Sequence, residues 1–384
     1  MQTMSKLFLK FSLICLIMAA SLSAYSQKTI SNISTNRWTV EKANKWYDNH
    51  DWIVGCNYVP ANAINQIEMW QKDTFSPKLI DKELAWAEEI GFNTLRVFLH
   101  YLPWKEDTAG YYQRFDQFLT ICEKHNISVA IVFFDDVWHP IPKSGKQPEP
   151  IKGIHNSGWV QCPGKEILQN LPMYEESLKA YVQQTIQRYK QDERVLIWDL
   201  YNEPGNKNNA SYGDIELKKK KEFSLALLKK VFQWAREINP DQPITSGIWT
   251  AGNVQPKNFS KIDKFCFEHS DIISFHTYSN KKRSQKLIRT LKASKRPLIC
   301  TEYMARTAGS TFEGILPLFK KHNVAAYNWG FVAGKSNTIY PWKSWENPFD
   351  TEPEIWFHDI FRQDGTPFSE KEINLIKELT GKAD

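Results

Sequence analysis

The heptapeptide Trp-Asp-Leu-Tyr-Asn-Glu-Pro at residues 198–204 decides how the rest of the chain is interpreted. It continues the apolar run 195–198, whose composition is typical of a short buried strand. The stretch ends in Asn202 and Glu203, and Pro204 then stops the strand. A carboxylate at the end of a buried strand is costly unless it is paired or takes part in chemistry. Glu203 is therefore a candidate catalytic residue; the alternative is that it only caps the following helix.

Outward from this stretch, strand and helix patterns alternate along the chain. The predicted strands occupy residues 53–58, 93–98, 129–134, 195–198, 243–249, 271–278, 297–303 and 325–329. The predicted helices occupy residues 79–90, 115–125, 174–189, 216–238, 284–294, 314–322 and 370–379. This alternation predicts an α/β protein with a single (β/α)8 TIM barrel. The rival doubly wound sheet would be expected to carry a glycine-rich phosphate loop, and the sequence has none.

The composition favours a large folded core and gives no sign of a nucleic-acid partner. Hydrophobic residues make up 42% of the 384 residues, and Trp, Tyr and Phe number 15, 15 and 22. Besides filling a core, such aromatic rings form platforms on which the apolar faces of sugar rings stack. The net charge is only +6, and the basic run 218–221 is better explained as the exposed face of a helix.

The first residues predict an exported protein. A positively charged start is followed by an apolar core over 13–20 and by a small-x-small cleavage site, Ala24-Tyr25-Ser26. The apolar core is too short to span a membrane comfortably, and no later stretch reaches 18 apolar residues. We therefore expect a secretory signal peptide over 1–26 and one catalytic domain over 27–384.

Five cysteines would remain after cleavage of the signal peptide: Cys56, Cys122, Cys162, Cys266 and Cys300. Their number is odd, and their spacings match no metal motif. Cys56, Cys122 and Cys300 lie in apolar contexts and are expected to be buried thiols. The sequence thus predicts neither a disulfide framework nor a metal site, although it leaves a single disulfide open.

A second glutamate follows an apolar strand far downstream. Glu302 ends the predicted strand 297–303, so a barrel would place it across one cavity from Glu203. Two carboxyl groups about 5–5.5 Å apart suit retaining glycoside hydrolysis, in which one protonates the leaving oxygen and the other attacks the anomeric carbon. The pKa values of the two groups must then be pushed apart by their neighbours.

Two side chains at other strand ends are expected to hold Glu302 in its charged form. Arg96 ends the second predicted strand and supplies an opposite charge. Tyr278 ends the sixth and can donate a hydrogen bond to the same carboxylate. The alternative for Arg96 is an ordinary ion-pair partner.

Three more side chains are expected to bind the sugar. Asn202 is placed to hold a hydroxyl next to the reacting carbon. His276 stands two residues before Tyr278, so both point to the same face of a strand. Trp329, at the end of the eighth strand, offers a flat floor for a sugar ring. The alternative for His276 and Trp329 is core packing.

Together these segments resemble the clan A glycoside hydrolases, and most closely family 5, the cellulase-like group. The matching segments are 91–96, 198–204, 276–278, 298–303 and Trp329. The resemblance implies Glu203 as acid/base and Glu302 as nucleophile, with Arg96 and Asn202 beside them. It also implies that Tyr278 is the partner of the nucleophile and that His276 and Trp329 line the sugar subsite.

The third strand departs from the family pattern. Many members of family 5 carry a histidine after this strand, whereas this chain has Phe133-Phe134-Asp135-Asp136. The segment that follows, up to Gly164, is long and rich in Pro, Gly and Trp, which indicates a functional loop. The substrate and the subfamily therefore stay open at this point.

We thus expect an exported, monomeric, retaining β-glycoside hydrolase that acts on a β-mannan, β-glucan or xylan. No metal or organic cofactor, no nucleic-acid partner and no membrane span are expected. The rival within enzymes is an exo-acting β-glycosidase that trims oligosaccharides, with its cleft closed into a pocket by the loop 135–164. The rival from another class is a non-catalytic glycan-binding barrel, which the presence of both glutamates disfavours.

Overall fold

The computed structural model describes residues 36–250 and 255–383, so the predicted signal peptide lies outside the described residues. Eight parallel strands form one sheet in the order β5-β4-β3-β2-β1-β8-β7-β6. A parallel bridge between Ile248, three residues after the end of the strand at one edge, and Phe275, in the strand at the other edge, makes the sheet a nearly closed barrel. The strands are β1 (Val54–Asn57), β2 (Thr94–Phe98), β3 (Ser128–Asp135), β4 (Val195–Asn202), β5 (Ile244–Thr245), β6 (Ile273–His276), β7 (Leu298–Tyr303) and β8 (Ala325–Asn328).

Every strand is followed by at least one helix, which confirms the predicted (β/α)8 TIM barrel. The helices are α1 (Val40–Asp48), α2 (Gln66–Trp70), α3 (Pro77–Glu89), α4 (Tyr101–Glu106), α5 (Thr108–Lys124), α6 (Lys165–Gln169), α7 (Leu171–Tyr189), α8 (Lys220–Ile238), α9 (Lys261–His269), α10 (Lys281–Leu291), α11 (Phe312–His322) and α12 (Glu370–Thr380). Nearly all strand residues are buried, because helices cover the outer face of the sheet while side chains fill its interior.

Five helices were not predicted from the sequence: the short α2, α4 and α6, and the longer α1 and α9. Helix α1 precedes the first strand, and its Ala43 and Tyr47 pack with Ile53 and Ala325 in a cluster at the amino-terminal ends of the strands. It therefore covers the bottom of the barrel and stands outside the strand–helix alternation. Helix α9 buries Ile262, Phe265 and Cys266, whose i, i+3, i+4 spacing was the signal available in the sequence.

Strand β5 is shorter than predicted, and helix α8 begins four residues later than predicted. Beyond Thr245, Ser246 turns to other partners: its hydroxyl donates to the carbonyl of Tyr201 at 2.8 Å, and its amide donates to Ser270 at 3.2 Å. Because these bonds replace the ladder to β4, the strand ends after two residues.

All five cysteines of the described residues are buried and unpaired, as expected for Cys56, Cys122 and Cys300. The disulfide that the sequence left open is absent among them. Over the same residues, no helix has the length and apolar character needed to cross a membrane.

Candidate active site

The two predicted glutamates face each other at the carboxyl-terminal mouth of the barrel. Glu302 lies within β7, and Glu203 directly follows β4 with a positive φ of 43°. One carboxylate oxygen of each glutamate and one ring nitrogen of His276 all lie within 4.8 Å of one another. The barrel topology therefore brings together two carboxyl groups that are far apart in the sequence.

His276 lies between the two carboxylates. Its Nδ1 is 2.9 Å from Glu203 Oε1 and 3.5 Å from Glu302 Oε2. Burial lowers the pKa of His276 to about 4, although the neighbouring Glu302 raises it. The ring is therefore neutral at pH 7 and shares a hydrogen bond with Glu203. Among the described residues, these three side chains are also the one group of His, Cys, Asp and Glu that offers three ligand atoms close enough for a metal ion.

Glu302 is held through both of its oxygens. Arg96 Nη1 donates to Oε1 at 3.1 Å, and the hydroxyl of Tyr278 donates to Oε2 at 2.8 Å. The structure thus places Arg96 and Tyr278 in the contacts predicted for them. Among the described residues, no cation lies in hydrogen-bond contact with Glu203, whose Oε2 accepts from the Asn206 amide at 2.7 Å.

The pKa of both glutamates is raised by burial. The side chain of Glu203 is only 14% exposed, and its pKa rises to about 7. The pKa of Glu302 is also raised, because burial and the nearby Glu203 outweigh the lowering by His276, Arg96 and Tyr278. From the sequence we expected Arg96 and Tyr278 to keep Glu302 charged and so to decide the direction of its pKa shift. The sequence could not show how deeply that carboxylate is buried.

Arg96 is the centre of the hydrogen-bond network below the two glutamates. It is fully buried, and it donates to Asp199 at 2.9 Å, to Asn57 at 2.7 Å and to Asn202 at 2.7 Å. Its ion pair with Asp199 is 2.8 Å long, shorter than the 3.1 Å pair with Glu302. Neither Asp199 nor Asn57 was predicted from the sequence to belong to the site. The available signal was an aspartate inside a buried strand, which needs a nearby opposite charge.

Asn202 is fixed from two sides. Its Oδ1 accepts from Arg96, and its Nδ2 donates to Asp135 Oδ1 at 2.9 Å. Asp135 ends β3 and also accepts from the Trp159 ring at 2.7 Å and from the Val137 amide at 2.9 Å. Burial raises the pKa of Asp135 to about 7. The departure from the family pattern at this position thus corresponds to a carboxyl group that orients Asn202.

A pocket of about 600 Å³ opens between these strand ends. Six of the seven predicted site residues line it, whereas Arg96 lies beneath its surface. The half-buried ring of Trp329 forms part of the wall and meets Phe98 and Trp159 edge-on, with centroids 5.7 Å away in each case. Further lining residues, which were not predicted from the sequence, are His155, Asn156, Asn206, Trp249, Trp342 and His358.

One side of the pocket is closed where two long loops meet, the β3 loop (136–164) and the β8 loop (329–369). Trp138 stacks on Trp345 with ring centroids 5.9 Å apart, and the amide of Asn156 donates to the carbonyl of Ser336 at 2.9 Å. The β3 loop also crosses the segment after β1, where Asn65 donates to the carbonyl of Gly158 at 2.8 Å. Of the described residues, none from the ends of β1 or β2 lines the pocket.

Solved structures with the same fold include several glycosidases, all at low sequence identity. GH5_18 from Streptomyces cattleya, in complex with GlcNAc, is 13% identical with a TM-score of 0.57, over 86% of this chain and 80% of that one. Exo-beta-1,4-mannosidase Op5Man5 from Opitutaceae bacterium strain TAV5 is 16% identical with a TM-score of 0.55, over 86% and 59%. The endo-beta-1,4-mannanase from Thermotoga petrophila is 15% identical with a TM-score of 0.53, over 87% and 77%.

These likenesses confirm the fold alone, since all three are below 25% identity. No curated protein matches the chain in sequence. The family model Cellulase (glycosyl hydrolase family 5), however, matches residues 55–346, which contain every predicted site residue. The chain therefore belongs to glycosyl hydrolase family 5 of clan A and is a glycosidase that hydrolyses O-glycosyl compounds.

Proposed function

We propose that the protein is a retaining β-glycoside hydrolase in which Glu302 is the nucleophile and Glu203 is the general acid/base. The supporting observation is the distance between the two carboxyl groups, which approach within 4.8 Å. Retaining enzymes separate the two groups by about 5–5.5 Å, whereas inverting enzymes leave about 6.5–9.5 Å so that a water molecule fits between substrate and base.

The surroundings of the two groups support this assignment of roles. Glu302 contacts a guanidinium and a hydroxyl donor, which stabilise its charged form. The hydrogen-bond partners of Glu203 in the described part of the chain are both neutral, the amide of Asn206 and the ring of His276. The pair therefore keeps its proton on Glu203 near neutral pH, ready to be given to the leaving oxygen, while Glu302 carries the charge for attack.

The reaction then proceeds in two displacements. In the first, a Glu302 oxygen forms a bond to the anomeric carbon as the glycosidic C–O bond breaks, and Glu203 transfers its proton to the departing oxygen. In the second, Glu203 removes a proton from water, whose oxygen attacks the same carbon and releases Glu302. Two inversions leave the configuration of the product unchanged.

Three of the remaining predicted residues are assigned to the bound sugar. One amide hydrogen of Asn202 is used by Asp135, which leaves the second for a hydroxyl beside the reacting carbon. Trp329 presents its half-buried ring to the pocket as a stacking surface. His276 contacts both glutamates, and we assign it to the wall of the same subsite.

For the substrate we propose a β-linked glycan of the β-mannan, β-glucan or xylan type. The mannan-directed enzymes among the structural neighbours fit this class. A second candidate, exo-acting trimming of oligosaccharides, is favoured by the closure of the pocket where the β3 and β8 loops meet. The size of the products from polysaccharides distinguishes the two, because endo cleavage gives a ladder and exo cleavage gives a single small sugar.

We also propose that the protein is exported as a monomer, with residues 1–26 removed and residues 27–384 forming the catalytic domain. Amino-terminal sequencing of the exported protein checks the cleavage site after Ser26. Sedimentation of the purified protein checks the monomer.

Trapping of the covalent intermediate tests the proposed mechanism. A 2-deoxy-2-fluoro glycoside with a good leaving group should form a stable ester, which peptide mapping locates on residues 301–303. Glu302→Gln should abolish this label. Glu83→Gln is the matched control, because Glu83 is equally buried but outside the pocket, and it should label like the wild type. A label on another residue, or a product with inverted configuration, would refute the assignment.

A further inference from the structure

Two buried histidines stand side by side where the β3 and β8 loops meet. His155 Nδ1 lies 2.8 Å from the carbonyl oxygen of Tyr340, and His358 Nδ1 lies 2.5 Å from that of Met304. A carbonyl oxygen only accepts, so each ring carries its proton on Nδ1 and presents Nε2 as an acceptor. The ring centroids are 5.4 Å apart, and both rings line the pocket.

Both rings stay neutral under ordinary conditions. Burial lowers the pKa of His155 to about 4, and burial together with the neighbouring His155 lowers the pKa of His358 well below its usual value. Within the described residues, no hydrogen bond reaches the Nε2 of either ring. These residues also supply no third ligand that would make the pair a metal site. Two fixed acceptors facing one pocket suit two hydroxyl donors.

Asn156, which follows His155 in the chain, is also buried at this place. The side chain of Asn156 is 1% exposed, and neither its amide nitrogen nor its carbonyl oxygen has a partner. Buried carboxamides are nearly always hydrogen-bonded, so this one calls for an explanation. Both polar atoms are closed off from the pocket, so a sugar hydroxyl does not reach them.

His155 and His358 lie on the side of the pocket where the sugar bound to Glu302 is expected. The ring of His358 is 5.6 Å from that of Tyr278, whose hydroxyl bonds to Glu302. Glu203, which protonates the leaving group, follows β4, on the opposite side of an eight-stranded barrel from β8. The leaving group is therefore protonated from the β4 side, and the sugar attached to Glu302 lies towards β8 and His358.

We propose that His155 and His358 form a subsite that binds hydroxyl groups of the terminal, non-reducing sugar, so that the enzyme removes one sugar at a time. This inference rests on the proposed function, since it needs Glu302 and Glu203 in their assigned roles. The β3 and β8 loops then act as an end wall that leaves no room for a further sugar beyond this one.

A different partner fits the carboxamide of Asn156. It also lines a small cavity of about 20 Å³ behind Trp329, which is large enough for one buried water molecule. Such a water would satisfy the carboxamide without any sugar. The two histidines do not line that cavity. The experiment is therefore designed around them.

The test compares substrates that lack a single hydroxyl group. The probes are the 4-nitrophenyl β-D-mannoside, β-D-glucoside and β-D-xyloside, followed by the 3-deoxy and 4-deoxy analogues of the best substrate. In the wild type, loss of a bound hydroxyl should lower kcat/KM about 5- to 150-fold, because a buried acceptor is left unpaired. In His155→Ala or His358→Ala the complete glycoside should already have a low kcat/KM. Removing the hydroxyl that the lost histidine would bind should then lower kcat/KM by less than about 2-fold.

His100→Ala is the control, because His100 is fully buried but lies away from the pocket; it should keep the wild-type penalty. The ratio of two kcat/KM values from one preparation does not depend on the folded fraction, so a destabilised variant remains informative. His155→Gln and His358→Gln retain an acceptor, so removal of the hydroxyl group should again lower kcat/KM, though less than in the wild type.

The proposal is overturned if the deoxygenation penalties are the same in both alanine variants as in the wild type. It is also overturned if none of the three 4-nitrophenyl glycosides is cleaved while a polysaccharide yields a ladder of products. Trapping of an ester on Glu302 in that second case would leave the proposed function intact. Absence of any β-glycoside hydrolysis would instead refute the proposed function itself.

Discussion

Replacing the proposed acid/base should stabilise the protein at neutral pH while it removes activity. The pKa of Glu203 rises from 4.5 to about 7, because the folded protein buries its carboxyl group. At about 1.36 kcal/mol per pH unit, this difference costs the folded state about 3 kcal/mol once the unfolded chain is fully ionised. Glu203→Gln removes the ionisation and keeps the shape of the side chain, so it should recover most of that free energy.

The pH dependence gives the prediction its sign. Below pH 4.5 the carboxyl group is protonated in both states, and the variant gains nothing. Between pH 4.5 and about 7 the unfolded state loses the proton that the folded state retains, so the wild type loses stability as the pH rises. Urea unfolding at pH 5 and pH 8 should therefore show an advantage of the variant that grows from less than about 1 to about 3 kcal/mol. The kcat/KM of the wild type should fall above about pH 7, as the acid loses its proton.

Glu123→Gln controls for the change in net charge, because Glu123 is exposed on helix α5. A stability difference for Glu203→Gln that is the same at pH 5 and pH 8 would refute the reasoning, as would a variant that is less stable than the wild type at pH 8. A kcat/KM profile without a fall near pH 7 would show that Glu203 is not the acid.

Three further predictions concern other parts of the site. Glu203→Ala should strongly reduce hydrolysis of natural glycans but leave the first step intact for substrates with very good leaving groups. Added azide should then give a β-glycosyl azide. An α-azide would contradict the assignment. Trp329→Ala should weaken glycan binding and turnover. Its loss of stability should stay below the roughly 3–5 kcal/mol that truncation of a fully buried aromatic residue costs. Thermal melts, measured together with the kinetics, distinguish a stacking residue from a core residue. Asp136→Asn should lower kcat with little change in KM, because the Asp136 carboxylate accepts at 2.6 Å from the Gly205 amide and at 2.5 Å from Ser224, and so holds the loop after Glu203; an unchanged kcat would contradict this role.

The features predicted from the sequence are those that follow from local pattern plus topology. Apolar runs predict the strands, and a parallel barrel brings all of their carboxyl ends to one mouth. That is why Glu203, Glu302, Tyr278 and Trp329, which are widely separated in the chain, could be assigned to one cavity. Tyr278 follows the end of β6, whereas Arg96 lies in the middle of β2 and was found because an opposite charge on another strand was expected to pair with Glu302.

What the sequence could not provide depends on contacts between distant segments without a periodic pattern. Arg96 and Asp199 pair inside the barrel from two different strands. The sequence around either residue does not indicate the other as its partner. The stacking of Trp138 on Trp345 joins two irregular loops, and the wall that contains His155 exists only because those loops meet. The raised pKa of Glu302 likewise depends on burial, which no single stretch of sequence encodes.

The position of His276 between the two carboxylates has a consequence for the electrical balance of the catalytic cycle. In the proposed mechanism the negative charge lies on Glu302 in the resting state; once Glu302 is esterified and Glu203 has given up its proton, the charge lies on Glu203. The buried cluster therefore carries the same net charge in both states, and Arg96 remains neutralised by Asp199 throughout. His276 Nδ1 lies 2.9 Å from one carboxylate and 3.5 Å from the other, so the same ring is next to the charge before and after it moves.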